Sequence, residues 1–210
     1  MTDTYKEALR GALEENPGRR LPLDGARDAA VLIPIVATPQ PTAIFTVRTK
    51  TLSSHKGQIS FPGGSIDPSD ASATAAALRE SEEEIGLDPA DVEVLGALDN
   101  FHTFVSGYLV TPVVGWLAKS PRLRPNPAEV AEVLQIPLAD LSEEIRSEPG
   151  FTYAGRTFPT EAWIWGNHVI WGVTARIVRA FLGRLAEAGL AEAPGPTSTP
   201  WPDLDPAPPR

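Results

Sequence analysis

Residues 61 to 70 of this 210-residue chain read Phe-Pro-Gly-Gly-Ser-Ile-Asp-Pro-Ser-Asp, and residues 79 to 87 read Arg-Glu-Ser-Glu-Glu-Glu-Ile-Gly-Leu, with eight residues between. A doubled glycine leading into an alanine-rich run constrains the chain to a tight turn feeding a helix. The helix is expected from Ala71 to Ile85, with Asp70 as N-cap, high propensity over Ala73 to Leu78, and Gly86 as the left-handed stop. At about 100° per residue, Glu80, Glu83 and Glu84 share one face. Each like-charged pair there is unfavourable by a few tenths of a kcal/mol, a penalty that a bound cation removes. Gly63 and Gly64 let backbone amides approach a phosphate closely. Together the turn and the carboxylates describe a site for phosphate and Mg²⁺.

Composition narrows the partners. The net charge is −9, and no segment gathers Lys and Arg. Such a chain lacks the electrostatic footprint that dominates nucleic-acid affinity. An anionic small molecule must therefore be held by a few local cations and a metal, against the global field. The chain has no cysteine, which excludes disulfides and thiol chemistry. Its first residues are too polar for a secretory signal, and no apolar run approaches the ~20 residues of a membrane span. A cytoplasmic protein with no membrane partner is expected.

The length suggests one domain with extensions. Residues 1–20 are expected to form a helix packed on the domain, 21–190 the domain itself, and 191–210 a Pro-rich tail too poor in apolar surface to order. The N-terminal helix is placed over Tyr5 to Glu15, with Thr4 and Glu7 as a capping box. Ala30 to Thr38 reads as a strand that Pro34 confines to an edge or a bulge, and Thr42 to Arg48 pairs with it. Val92 to Leu98, Asn100 to Val105 and Tyr108 to Leu117 read as strands, the last interrupted by Pro112. Leu138 to Ile145 reads as a short helix. Phe151 to Tyr153 and Arg156 to Phe158 read as a hairpin, Ala162 to Trp165 as a strand, and His168 to Glu187 as a helix.

The 63–87 segment resembles the Nudix box, G-x5-E-x7-R-E-U-x-E-E-x-G-U with U aliphatic. Gly64, Arg79-Glu80, Glu83-Glu84 and Gly86-Leu87 match it. Asp70 stands where the box has Glu, the spacer to Arg79 is eight residues, and Ser81 takes an aliphatic position. Upstream, Ile44-Phe45-Thr46-Val47-Arg48-Thr49, Ser53, Gly57 and Phe61-Pro62-Gly63-Gly64 keep the register of the signature of coenzyme A-cleaving Nudix enzymes, approximately L-L-T-x-R-S-x3-R-x3-G-x3-F-P-G-G. Ser53 replaces an arginine, which removes a bidentate phosphate donor. The segments from Thr103 to Gly115, Asn126 to Val130 and Ile170 to Ala175 are similar to segments of coenzyme A pyrophosphatases.

The resemblance implies a Nudix-like α/β/α sandwich with a mixed β-sheet, dependent on Mg²⁺ or Mn²⁺. It also implies a substrate, coenzyme A or a thioester, split at the diphosphate to adenosine 3′,5′-bisphosphate and 4′-phosphopantetheine. Another nucleoside diphosphate such as ADP-ribose or NADH, and a silent nucleotide-binding module, are the alternatives. Glu80, Glu83 and Glu84 are the expected metal ligands. Glu80 and Glu83 are also assigned to catalysis, with Glu80 as ligand or base, and Arg79 orients a glutamate. Arg48, His55, Gly63 and Gly64 are the expected substrate contacts. Glu129 reads either as an extra carboxylate from a loop or as a first-turn residue of a helix after Pro127. Arg48 equally fits a surface ion pair. His102 and His168 read as local hydrogen-bonding residues, and Trp163, Trp165 and Trp171 as core.

Overall fold

Buried side chains run almost without a break along the two longest strands, and this places apolar surface on both faces of one sheet. The computed structural model describes residues 2–49, 57–103, 106–141, 146–147, 151–153, 156–158 and 161–195. In chain order its elements are α1 (Thr2–Glu15), β1 (Arg27–Val36), β2 (Thr42–Arg48), β3 (Ile59–Ser60), β4 (Gly63–Ser65), α2 (Ala73–Ile85), β5 (Glu93–Ala97) and β6 (Phe101–His102). There follow β7 (Tyr108–Leu117), β8 (Val130–Pro137), β9 (Arg146–Ser147), β10 (Phe151–Tyr153), β11 (Arg156–Phe158), β12 (Ala162–Trp165), β13 (His168–Trp171) and α3 (Gly172–Glu187).

In β1, Ala30, Leu32 and Val36 join one cluster, while Ala29, Ile33 and Ile35 join the other. The first cluster includes Ala76, Ala77 and Ile85 of α2; the second takes in Leu9 and Leu13 of α1 and Ile177, Phe181 and Leu185 of α3. The result is a three-layer α/β/α arrangement, which a period-2 strand buried on both faces requires. The sheet is mixed: β1 runs parallel to β7 from Arg27↔Tyr108 to Val36↔Leu117, whereas β2, β4, β5, β6 and β8 add antiparallel pairs.

One irregularity builds the site. Strand β2 pairs with β8 along its whole length, but with β1 only at Ile35↔Ala43 and Val36↔Thr42, and β3 takes over that side at Thr46 and Val47. Strand β4 pairs with β1 at residues 29 to 31 instead. The sheet thus opens between β2 and β4. Pro34 lies in that gap within a strand paired on both sides and without a register shift, which corrects its expected placement on an edge or a bulge. The Leu32 N–H points to the same side and donates to Pro62 O; two residues on, no ladder partner is present to miss a proline's absent donor. Pro112 likewise does not interrupt β7. It falls between the segments paired by β6 and β5, and its carbonyl still accepts from Leu98 N.

Other boundaries also differ from the sequence reading. Helix α1 begins at Thr2, so Thr4 lies inside it and forms no cap. Helix α2 begins at Ala73, where Ser72 is the N-cap and accepts from Ala75 N at 3.1 Å. Asp70 is not the cap, because its oxygens are engaged by Arg79 and Asp67 N. Gly86 ends the helix at φ 65°, as expected. His168 to Trp171 is a strand, not a helix: it pairs with β12 from Ala162↔Trp171 to Trp165↔His168, and Gly172 at φ 67° makes the break. Ile170 and Val173 satisfied helical spacing only across that break. The β10–β11 pairing is as expected. Leu138–Asp140 is one 3₁₀ turn, and residues 142–145 lie outside the described residues.

Candidate functional site

The glycine turn packs edge-on against helix α2. Gly63 has φ 153°, and an added Cβ would stand 2.3 Å from Ala30 O, so only glycine lets β4 approach β1 here. Its N–H donates to Glu84 Oε2 at 3.2 Å. Gly64 faces Glu80, where an added Cβ would lie 2.5 Å from the carboxylate carbon. The two glycines thus seat two of the three carboxylates.

Arg79 is a structural clasp. Its Nε and Nη2 donate to Asp70 Oδ1 and Oδ2 at 3.0 and 2.9 Å, its Nη1 to Glu80 Oε1 at 2.9 Å and Glu83 Oε2 at 3.2 Å, and its Nη2 to Ser65 O at 3.2 Å. This joins the loop before the helix, the helix and β4 through one planar fork. The Arg79 side chain holds the Asp70 carboxyl below its ordinary range, helped by the Asp67 amide. The expectation that Arg79 orients a glutamate matches this geometry, and the Asp70 partnership was not anticipated. A doubly hydrogen-bonded arginine nine residues beyond an aspartate leaves no periodic signal.

The carboxylates differ in setting. Glu83 is exposed, Glu80 is half-buried, and Glu84 is buried with its side chain 6% accessible. Desolvation raises the Glu84 carboxyl to about 7, opposed by the Gly63 amide and Arg48 and reinforced by Glu80 and Glu129. Desolvation also raises Glu80, with Arg79 acting against it and Glu83 and Glu129 with it. Glu129 therefore lies close enough to be felt by both. The residues after it form β8 and not a helix, which removes the helix-dipole alternative. Asn126 makes the placement: its N–H caps the α2 carbonyl of Glu84 at 2.8 Å, its Oδ1 accepts from Ala128 N at 3.1 Å, and its Nδ2 reaches Glu129 Oε1 at 3.5 Å. The sequence marked residues 126 to 130 as a segment of interest, but not its landing on the end of α2.

Arg48 ends β2 at the opening in the sheet. Its Nη1 is 3.9 Å from Glu84 Oε1, and its Nε is buried without a hydrogen-bond partner among the described residues. A half-buried guanidinium whose Nε lacks a partner among the described residues, beside a glycine turn, suits an anion. His55 and Ser53 lie outside the described residues. His102 is on β6, where burial and then Arg176 lower its pKa and its carbonyl accepts from Arg176. His168 stacks on Trp165 with centroids 6.0 Å apart. Trp163 is fully buried and donates to Ala175 O, and Trp165 packs partly buried against the core, whereas Trp171 is 40% exposed, so the core reading fails for Trp171.

Among the described residues, no three acidic or imidazole groups already converge as a metal cage. The donor set nevertheless fits Mg²⁺ or Mn²⁺. Such ions are usually held by one or two carboxylates plus substrate phosphates, and Glu84 and Glu80 are hard oxygen donors whose burial raises their pKa values, a desolvation penalty on the charged form that a bound cation would offset. A cavity of about 530 Å³ bordered by Tyr5, Pro41, Leu138, Leu182 and Leu190 is lined by none of these groups.

Comparison with known proteins agrees in kind. The NUDIX domain family model matches residues 26–153. A Photorhabdus laumondii protein described as an uncharacterized Nudix hydrolase, NudL, is 44% identical over 163 residues, covering 77% of this chain and 86% of the relative. The Escherichia coli protein of the same description is 44% identical over 155 residues, covering 73% and 80%. A solved MutT/nudix family protein from Enterococcus faecalis superposes with TM-score 0.53 at 13% identity, over 80% of this chain and 66% of that one. That likeness concerns the fold alone.

Proposed function

This chain belongs to the Nudix hydrolase family, and we propose that its substrate is coenzyme A or a coenzyme A thioester, cleaved at the diphosphate with the help of Mg²⁺ or Mn²⁺. The observation that carries the substrate assignment is the meeting of Arg48 with Glu84. Arg48 belongs to the upstream signature and Glu84 to the box, and 36 residues apart in sequence they lie 3.9 Å apart at the opening of the sheet.

The chemistry is substitution at phosphorus. A water oxygen bonds to one phosphorus, the bond from that phosphorus to the bridging oxygen breaks, and the electron pair leaves on the other phosphate. The products are adenosine 3′,5′-bisphosphate and 4′-phosphopantetheine. A bound divalent ion supplies charge neutralisation on the diphosphate and makes the attacking water more acidic. Glu84, Glu80 and Glu83 would hold it, with Glu129 as a further carboxylate. Arg48 and the Gly63–Gly64 turn would seat the phosphates. Glu80, where it does not ligate the ion, is the proton acceptor for the attacking water in this scheme, its carboxylate lying against the Gly64 turn. Arg79 keeps Glu80 and Glu83 oriented and does not touch substrate.

The experiment is a product assay with coenzyme A, acetyl-coenzyme A and ADP-ribose, with and without Mg²⁺. Metal-dependent release of adenosine 3′,5′-bisphosphate at a higher kcat/KM than ADP-ribose cleavage is expected. Preference for ADP-ribose defeats the coenzyme A assignment. Hydrolysis undiminished in both Glu83→Gln and Glu84→Gln defeats the metal assignment.

A further inference from the structure

Arg27 stands exposed at the start of β1. Its guanidinium lies over the Tyr108 ring, Cζ 4.1 Å from the centroid, and its Nη2 donates to Ser106 O at 3.2 Å. Among the described residues it has no carboxylate partner. The adjacent Asp28 projects to the opposite face of β1 by strand alternation and is held by Arg20 at 2.5 Å. What sets it apart from other unpaired surface cations is the contact with the Tyr108 ring, which holds it in place in a chain of net charge −9.

Its position ties it to the glycine turn. Tyr108 pairs with Arg27 across β1 and β7, and Ser65 pairs with Ala29 two residues along β1. The Tyr108 hydroxyl lies 3.4 Å from Ser65 Oγ, and the Ser65 carbonyl accepts from Arg79. One residue therefore touches both the Arg27–Tyr108 pair and the clasp that orients Glu80. The ring contact and the bond to Ser106 O restrain the guanidinium, and its remaining N–H donors are available to a phosphate monoester.

Coenzyme A carries one such group besides its diphosphate, the phosphate on the ribose 3′ oxygen, which is close to dianionic at neutral pH. We propose that Arg27, oriented by Tyr108, binds this 3′-phosphate and makes the enzyme prefer coenzyme A over 3′-dephospho-coenzyme A. The proposal rests on the coenzyme A reading for its physiological meaning, but its binding chemistry is testable apart from turnover.

Titration calorimetry with Mg²⁺ present compares adenosine 3′,5′-bisphosphate with adenosine 5′-monophosphate. The wild type should bind the bisphosphate about tenfold or more tightly, the scale of a charge-assisted hydrogen-bonded pair. Arg27→Gln should erase most of that ratio, with Arg27→Lys between, and binding of the monophosphate reports that the variant is folded. In turnover, the kcat/KM ratio of coenzyme A to its dephospho form should fall about tenfold in Arg27→Gln, through KM. A wild type that does not distinguish the two nucleotides, or a ratio preserved in Arg27→Gln, overturns the proposal. If the wild type cleaves ADP-ribose and neither coenzyme, the substrate assignment fails, while the calorimetric ratio still decides whether Arg27 reads a ribose phosphate.

Discussion

Gly64 and the Glu80 carboxylate occupy adjoining volumes: a Cβ on Gly64 would stand 2.5 Å from both Cδ and Oε2 of Glu80. The clash is with the far end of a flexible side chain, so the fold can absorb it by moving Glu80. Gly64→Ala is therefore expected to lower kcat about tenfold or more with little change in melting temperature, because a small misplacement of a reacting group is costly. Gly63→Ala should instead destabilise by ~2 kcal/mol or more, since its clash is with the Ala30 backbone and its φ is unfavourable for alanine. Paired assays of activity and urea unfolding separate these outcomes; equal loss of stability in both variants contradicts the assignment.

Arg79→Lys keeps the charge but cannot bridge Asp70, Glu80 and Ser65 O in one plane. A lower melting temperature and a lower kcat are expected together, with KM for the substrate nearly unchanged. A variant whose defect lies mainly in KM would show that Arg79 binds substrate directly.

Burial makes Glu84 a pH-dependent element of the metal-free protein. Its pKa is pushed from the ordinary 4.5 to about 7 in the fold, so the unfolded chain releases this proton first as pH rises. The stability linked to it is fully present below about 4.5 and lost as pH rises through about 7, an amount on the order of 2–3 kcal/mol. Asp70 and Asp67, with lowered pKa values, act in the opposite sense at lower pH. Comparison with Glu84→Gln isolates the effect. Between pH 5 and 8 the metal-free wild type should lose stability relative to that variant, and saturating Mg²⁺ should restore the wild type selectively. Parallel urea-unfolding profiles would count against a buried, uncompensated Glu84.

Ser72, not Asp70, caps α2, so Ser72→Ala should cost ~1 kcal/mol. Asp70→Ala should act instead through Arg79, lowering activity as well as melting temperature. If Ser72→Ala is neutral while helix content falls in Asp70→Ala, the cap lies at Asp70 after all.

The order of residues alone determined which groups of the candidate site are neighbours along the chain. Gly63, Gly64, Arg79, Glu80, Glu83, Glu84 and Gly86 lie within one short stretch, where local turn geometry and a 3.6-residue period decide what faces what. The α2 helix, its glycine stop, and the full extents of β2 and β7 follow from the same local rules. Tertiary structure alone decided which carboxylate is buried, that Arg48 and Glu129 join the box, and that Asp70 serves Arg79. It also decided that Pro34 and Pro112 sit inside the sheet and that His168 to Trp171 pairs as a strand. These depend on partners tens of residues distant, and on gaps that open only where β2 parts from β1 and where β6 gives way to β5. Local propensity carries no information about a neighbour that arrives from elsewhere in the chain.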